Sequence, residues 1–283
     1  MIQFNDCSFR YKGGDVPALQ NISMAIEDGA FVGIIGNSGA GKSTLAYTLS
    51  GIIPHHFAGD FYGSITVNGL DTVEVKPEQL ARFVGEVFQD IDSQMVSNAV
   101  EDEILFGMEN FGVPHDEIGR RLENVLDMLG IAELRDRQIS SLSGGQKQKI
   151  AIAAILAMDP EIIVLDEPTG ELDPASSIMI FDILRRLNRE FHKTVIVIEQ
   201  KIMLLCEYVN RLLVMDQGKI VFDGKSGEIV NQIPLFKELG INVPRVVELG
   251  QQLHQEGLYQ GAIPLSLDQA EKMVKEVLGD AGI

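Results

Sequence analysis

The stretch Gly36-Asn37-Ser38-Gly39-Ala40-Gly41-Lys42-Ser43-Thr44 decides how this chain is read. It fits the pattern G-x-x-x-x-G-K-[S/T], whose glycines let successive backbone N–H groups point into one concavity. The apolar run Phe31-Val-Gly-Ile-Ile35 before it reads as a buried parallel strand, and residues 43–51 after it read as a helix ending at Gly51. Strand, glycine loop and helix N-terminus together make an anion cradle. In that cradle Lys42 can reach the β- and γ-phosphates of a nucleotide, and the Ser43 hydroxyl can ligate Mg²⁺.

Bulk properties narrow the partners. The chain has 283 residues, enough for one large domain with an appendage or for two domains, and 45% hydrophobic residues supply a packed core. Lys and Arg number 23 against 41 Asp and Glu, a formal net charge of −18. So acidic a surface repels nucleic acid and anionic lipid, and neither is an expected direct partner. Cys7 and Cys206 have no metal spacing and read as reduced thiols. The start, Met1-Ile-Gln-Phe-Asn-Asp6, lacks a basic leader, and the longest apolar run, 150–158, is too short to span a bilayer. A place at the membrane, as a peripheral subunit on its cytoplasmic face, would therefore come through another protein.

Outward from the loop, residues 2–10 and 19–27 read as strands around a turn at Lys12–Asp15, with Tyr11 just before it. Gly63–Gly69 and Phe83–Phe88 read as further strands, and 100–134 as a helical subdomain broken near Gly112-Val-Pro114. Ile162-Ile-Val-Leu-Asp166-Glu167 is an apolar strand ending in two carboxylates, which an open α/β fold delivers to the ligand edge of its sheet. Asp166 is placed to hold Mg²⁺ through water, and Glu167 to polarise an attacking water. Leu142-Ser143-Gly144-Gly145-Gln146 opens a helix and offers a hydroxyl and free N–H groups to an anion. One monomer has no obvious use for a second phosphate site. The segment makes sense if it closes over nucleotide held by another subunit.

With these residues the sequence resembles the ATP-binding subunits of ABC transporters over roughly residues 1–225. The likeness rests on 36–44, Gln89, 142–146, 162–167 and Gly170-Glu-Leu-Asp173, in the family's order. It implies an α/β P-loop NTPase with a RecA-like core, an antiparallel β subdomain and a helical subdomain at about 90–157. The cassette would occupy 1–228, with a C-terminal helical dimerisation region at 229–283. It further implies ATP hydrolysis with Mg²⁺ in a head-to-tail dimer. Tyr11 would stack on adenine, and Gln89 would sense Mg²⁺ and the attacking water. Ser143, Gly144 and Gly145 would touch the partner's γ-phosphate, and Asp173 would couple the two sites.

A narrower likeness runs through Phe88–Gln94, Val100–Gly107, Ile198-Glu-Gln-Lys201 and the tail 235–278. These resemble the energy-coupling factor group of importers. That implies an ATPase pair driving a membrane T-component, with a separate membrane protein capturing a vitamin, cobalt or nickel. The family usually carries a histidine on the γ-phosphate after the strand Thr194–Ile198, where this chain has Gln200. The expected partner is therefore a related subunit that bears the histidine. The alternative is a soluble ABC ATPase working on nucleic acid or in cofactor assembly. In the tail, Ser266 with Gln269 reads as a capping box. Leu267, Ala270, Met273, Val274, Val277 and Leu278 form one apolar stripe, which packs on its own domain or docks on another subunit.

Overall fold

The structure is a computed structural model and describes residues 1–279. Among the described residues ten strands form two sheets: β1 Ile2–Tyr11, β2 Leu19–Ile26, β3 Phe31–Gly36, β4 Gly59–Val67, β5 Leu70–Asp71, β6 Val84–Val87, β7 Ile162–Asp166, β8 Thr194–Ile198, β9 Arg211–Asp216 and β10 Lys219–Lys225. The first sheet, in the order β2-β1-β4-β5, is antiparallel. The second runs β10-β9-β3-β8-β7-β6 and is parallel except at β10. Burial follows from this division. Residues 162–166 and 194–198 are buried throughout, as a parallel sheet covered on both faces requires, whereas β1 mixes buried and exposed positions.

The strand order builds the site. β3, β8 and β7 are consecutive neighbours, so the chain leaving each of them emerges side by side at one carboxyl edge. The glycine loop follows β3, Glu199 and Gln200 follow β8, and Glu167 follows β7. Helix Pro174–Phe191 starts cleanly because Asp173 caps it and Pro174 occupies its first turn, and it stops at His192, in the left-handed conformation.

Helices Val100–Asn110, His115–Met128 and Gly144–Ala157 form an arm whose apolar residues are continuous with one face of the large sheet. The break between the first two falls at Gly112, whose φ is +70°, and Pro114. Helix Lys42–Leu49 and the antiparallel sheet pack on the other face. β4 starts four residues earlier than the sequence suggests, at Gly59, because it pairs with β1 back to Tyr11. Both cysteines are buried and unpaired, and burial pushes each thiol up to about 12.

The tail contributes helices Ile233–Glu238, Arg245–Gln255 and Leu267–Leu278. Ile229 and Phe236 belong to the main core, while Ile233, Val246, Val247 and Ala270 make a small cluster of their own. The expected capping box is only half formed. The Ser266 hydroxyl accepts from Gln269 N, but Gln269 Oε1 accepts from Leu265 N at 2.8 Å instead of from the cap residue. The apolar stripe also splits: Ala270 and Met273 are buried, whereas Leu267 and Leu278 are 69% and 56% exposed. No helix among the described residues is long and apolar enough to cross a membrane.

One core position stands out. Glu86 on β6 is buried with neither carboxyl oxygen hydrogen-bonded. Burial, opposed by the nearby Ser50 hydroxyl and aided by the charge of Asp166, pushes this carboxyl up to about 8 from an ordinary 4.5. The folded chain thus keeps a proton that the unfolded chain has already released, so this group lowers stability as pH climbs from about 4.5 towards 8. Glu86→Gln removes the penalty. Its melting temperature should exceed that of the wild type at pH 8, by the equivalent of a few kcal/mol at one unit per ~1.4 kcal/mol, and the gap should shrink to below about 1 kcal/mol at pH 5. Thermal unfolding followed by circular dichroism at both pH values measures this.

Candidate active site

Two glycines make the loop possible. A Cβ on Gly36 would lie 2.2 Å from Met215 O, and one on Gly41 would lie 2.3 Å from Ala18 O. Gly41 also has φ +99°, which a side chain disfavours. Gly41 stands at the N-terminus of helix Lys42–Leu49, whose first turn has neither a side-chain cap nor an acidic residue. Its N–H groups are therefore available to an anion. The Lys42 ammonium closes the loop from inside, donating to Gly36 O at 2.8 Å and Asn37 O at 2.9 Å. Burial lowers its pKa, and the charges of Glu167 and Asp166 pull the other way.

Asp166 sits at the end of β7, buried, with Oδ2 lacking any hydrogen-bond partner. Burial raises its pKa, the Ser43 hydroxyl opposes, Glu167 raises it further and Lys42 lowers it. Glu167 follows in the left-handed conformation, φ +52°, a strained arrangement of the kind concentrated at functional sites. Its backbone N–H donates to Ile198 O at 2.9 Å, and its Oε1 accepts from Gln200 Nε2 at 2.7 Å. Gln200 thus reaches the carboxylate of Glu167.

Glu199, to which the sequence reading gives no role, holds Gln200 in place. Its Oε1 accepts from the backbone N–H groups of Gln200 and Lys201, and its Oε2 from the Thr169 hydroxyl at 2.7 Å. Lys201 then donates to Thr169 O and to the Ser177 hydroxyl. The one available signal was a charged residue directly after five buried strand positions.

Tyr11 is tied to the loop helix through its hydroxyl, 3.1 Å from Thr44 Oγ1, and it meets Phe9 and Phe57 edge-on. Ser38, Gly39 and Ala40 complete the curl, with Ala40 N donating to Asn37 O. Asn37 makes a contact that sequence spacing could not suggest: its Nδ2 donates to Leu239 O, 202 residues away in the C-terminal region, at 2.6 Å. Gln89 is exposed beyond β6. The segment after it is tied to helix Gly144–Ala157 by the ion pair Asp92–Lys147 at 2.6 Å.

The segment 142–146 stands apart. No hydrogen bond among the described residues joins it to the phosphate loop. The Ser143 hydroxyl accepts from Gln146 N at 3.3 Å, and Gln146 Oε1 accepts from Ser143 N at 3.0 Å, a reciprocal capping box. Gly144 and Gly145 back onto Glu171, where a Cβ would lie 3.0 Å from Oε2 and 3.1 Å from the backbone oxygen respectively. Asp173, likewise, accepts from the Ser176 N–H and hydroxyl within its own chain, and these bonds hold its carboxyl below the usual range.

Comparison with known proteins agrees with this geometry. The sequence profile of the family described as ABC transporter matches residues 19–170. A provisionally named ABC transporter ATP-binding protein of Pyrococcus horikoshii is 38% identical over 97% of this chain and 96% of its own length. One from Methanosarcina acetivorans is 43% identical over 95% of this chain, which spans only 41% of that longer protein. Among solved structures, CbiO1 of Clostridium perfringens, part of the ABC transporter complex cbiONQ, is similar at TM-score 0.72 and 31% identity, covering 88% of this chain and 98% of its own. The cassette MJ0796, dimeric in a post-hydrolysis state with ADP and phosphate, is similar at TM-score 0.72 and 26% identity, covering 80% of this chain and 99% of its own. The phosphate loop, the carboxylate pair beside it and relatives matching almost end to end converge on one conclusion: the chain belongs to the ABC transporter family as an ATP-hydrolysing ATP-binding subunit.

Proposed function

We propose that this subunit is one half of an ATPase pair that powers an importer of the energy-coupling factor type. Such a machine would take up a vitamin or a transition-metal ion through a membrane T-component and a separate substrate-binding membrane protein. The observation that carries the pair is that, among the described residues of one chain, no hydrogen bond joins the phosphate loop to the helix start at Ser143, the Lys42 and Ser143 side chains each bonding within their own segments. Each is a phosphate-binding element, and a head-to-tail partner lets each complete the other's site. The importer type is supported by the helices beyond the cassette and by the similarity to CbiO1.

The site's chemistry follows from its residues. Lys42 exchanges two neutral carbonyls for triphosphate oxygens, a charge-assisted and stronger pairing. The buried, unpartnered Oδ2 of Asp166 suits a hard cation, so Ser43, Gln89 and Asp166 would hold Mg²⁺. When bound, that ion supplies neutralising charge to the phosphates. Gln200 occupies Oε1 of Glu167 and leaves Oε2 free to accept a proton from the attacking water. Tyr11 offers its ring to adenine from the loop's flank.

Four variants test this reading. Lys42→Ala should abolish nucleotide binding, whereas Glu167→Gln should bind ATP normally and hydrolyse it at least about 10²-fold more slowly; fluorescent-nucleotide titration and phosphate release measure the two. Gln200 donates a hydrogen bond but carries no charge, and one well-aimed donor to developing charge is worth about 10²–10³ in rate. Gln200→His should therefore raise turnover in the reconstituted pair, and an unchanged or lower rate counts against its role. Removing everything after Gly240 spares Phe236 in the core and Leu239 on the loop. That truncation should weaken pairing, read by sedimentation, while ATP binding survives.

A further inference from the structure

A cavity of about 950 Å³ lies between the catalytic core and the C-terminal helices. Its core wall includes Ile178, Ile202 and Leu204, and its other wall includes Ile241, Val243 and Val246. Four charged residues line it: Lys201, Lys237 and Arg245 against Glu248, a local excess of two positive charges in a chain of net −18. Lys237 is paired with Glu248, and Lys201 is engaged by Thr169 and Ser177. Arg245 has no ion-pair partner among the described residues.

The size is that of a small-molecule site, and the walls select the ligand. Apolar surfaces on both sides reject a small hydrated ion, and the excess positive charge rejects a cation. What fits is an apolar body with one acidic head. Two links then join the cavity to catalysis. Gln200 lines it and donates to Glu167 Oε1 at 2.7 Å. Leu239, just before the cavity-lining segment 240–246, receives the hydrogen bond from Asn37 of the phosphate loop.

We propose that this cavity is a regulatory site for an amphipathic carboxylate, whose head engages Arg245 and whose presence draws the Gln200 amide away from Glu167. Occupancy slows hydrolysis without weakening ATP binding. The link to turnover rests on the ATPase reading above; the binding site does not.

Decanoate below its micellar range is the probe, with decyltrimethylammonium as its cationic counterpart. Isothermal titration of the nucleotide-free full chain should show saturable decanoate binding at one site and none of the cation. Arg245→Glu should weaken decanoate at least tenfold, and Val243→Glu should do the same from the apolar wall. Both variants should keep wild-type affinity for a fluorescent ATP analogue, which shows that they are folded. In the hydrolysing pair, saturating decanoate should lower kcat at least threefold with ATP affinity unchanged, and Arg245→Glu should be insensitive. Absence of saturable binding, equal binding of the cation, or undiminished binding by Arg245→Glu overturns the site, as does protection of Arg245 by the partner subunit in the pair. Decanoate that binds yet leaves kcat unchanged overturns the regulation. A chain that binds decanoate but never hydrolyses ATP contradicts the ATPase reading instead.

Discussion

The close approach of backbone to backbone at Gly36 and Gly41 is the constraint on which the site depends. Neither position has room for a Cβ, since Met215 O and Ala18 O would each lie within 2.3 Å of it. The tight curl that results turns N–H groups inward, uncovers the start of helix Lys42–Leu49 and folds Lys42 back into its own loop. Burial then places an ammonium and the Asp166 carboxyl together where neither is well solvated. Their pKa shifts, down for Lys42 and up for Asp166, are both led by burial. A polyanion with a divalent cation relieves both costs at once, which is a physical reason for the site to take one.

The same kind of local contact bears on the proposed pairing. In the single chain Ser143 and Gln146 satisfy one another, Gly144 and Gly145 lean on Glu171, and Asp173 caps the helix that follows it. The bonds these groups make stay within a few residues. A second subunit of the proposed pair would find them already oriented, so little conformational entropy would remain to be lost on closure. Gln200 differs: its side chain spans from one strand end to the next and lies on the border between Glu167 and the rear cavity. Among the described residues it is the one side chain that both lines this cavity and donates a hydrogen bond to Glu167.

Much of this was legible in the chain because it is local. The strand, loop and helix around 31–51, the apolar run ending at Asp166, and the helix break at Gly112–Pro114 each announce themselves within one continuous stretch of chain. Contacts between distant segments were not legible. Nothing in spacing links Asn37 to Leu239, or shows that Gln200 meets Glu167. The S-x-x-Q pattern at 143–146 carries two meanings, anion site and capping box, and the structure displays the second. The C-terminal stripe read as a single face because helical periodicity cannot say how wide a partner is. Only Ala270 and Met273 find full cover within the described residues.

In the proposed pair two chains enclose ATP, each completing the other's pocket. Sedimentation velocity of Glu167→Gln, alone and with its native partner subunit, tests it most directly when run with ATP, with ADP, and with Ser143→Arg added. The account predicts that ATP but not ADP drives the cassettes into a two-chain complex, and that Ser143→Arg prevents this while leaving ATP bound. A chain without Glu167→Gln that stays monomeric and still hydrolyses ATP at full rate with Ser143→Arg in place would contradict it.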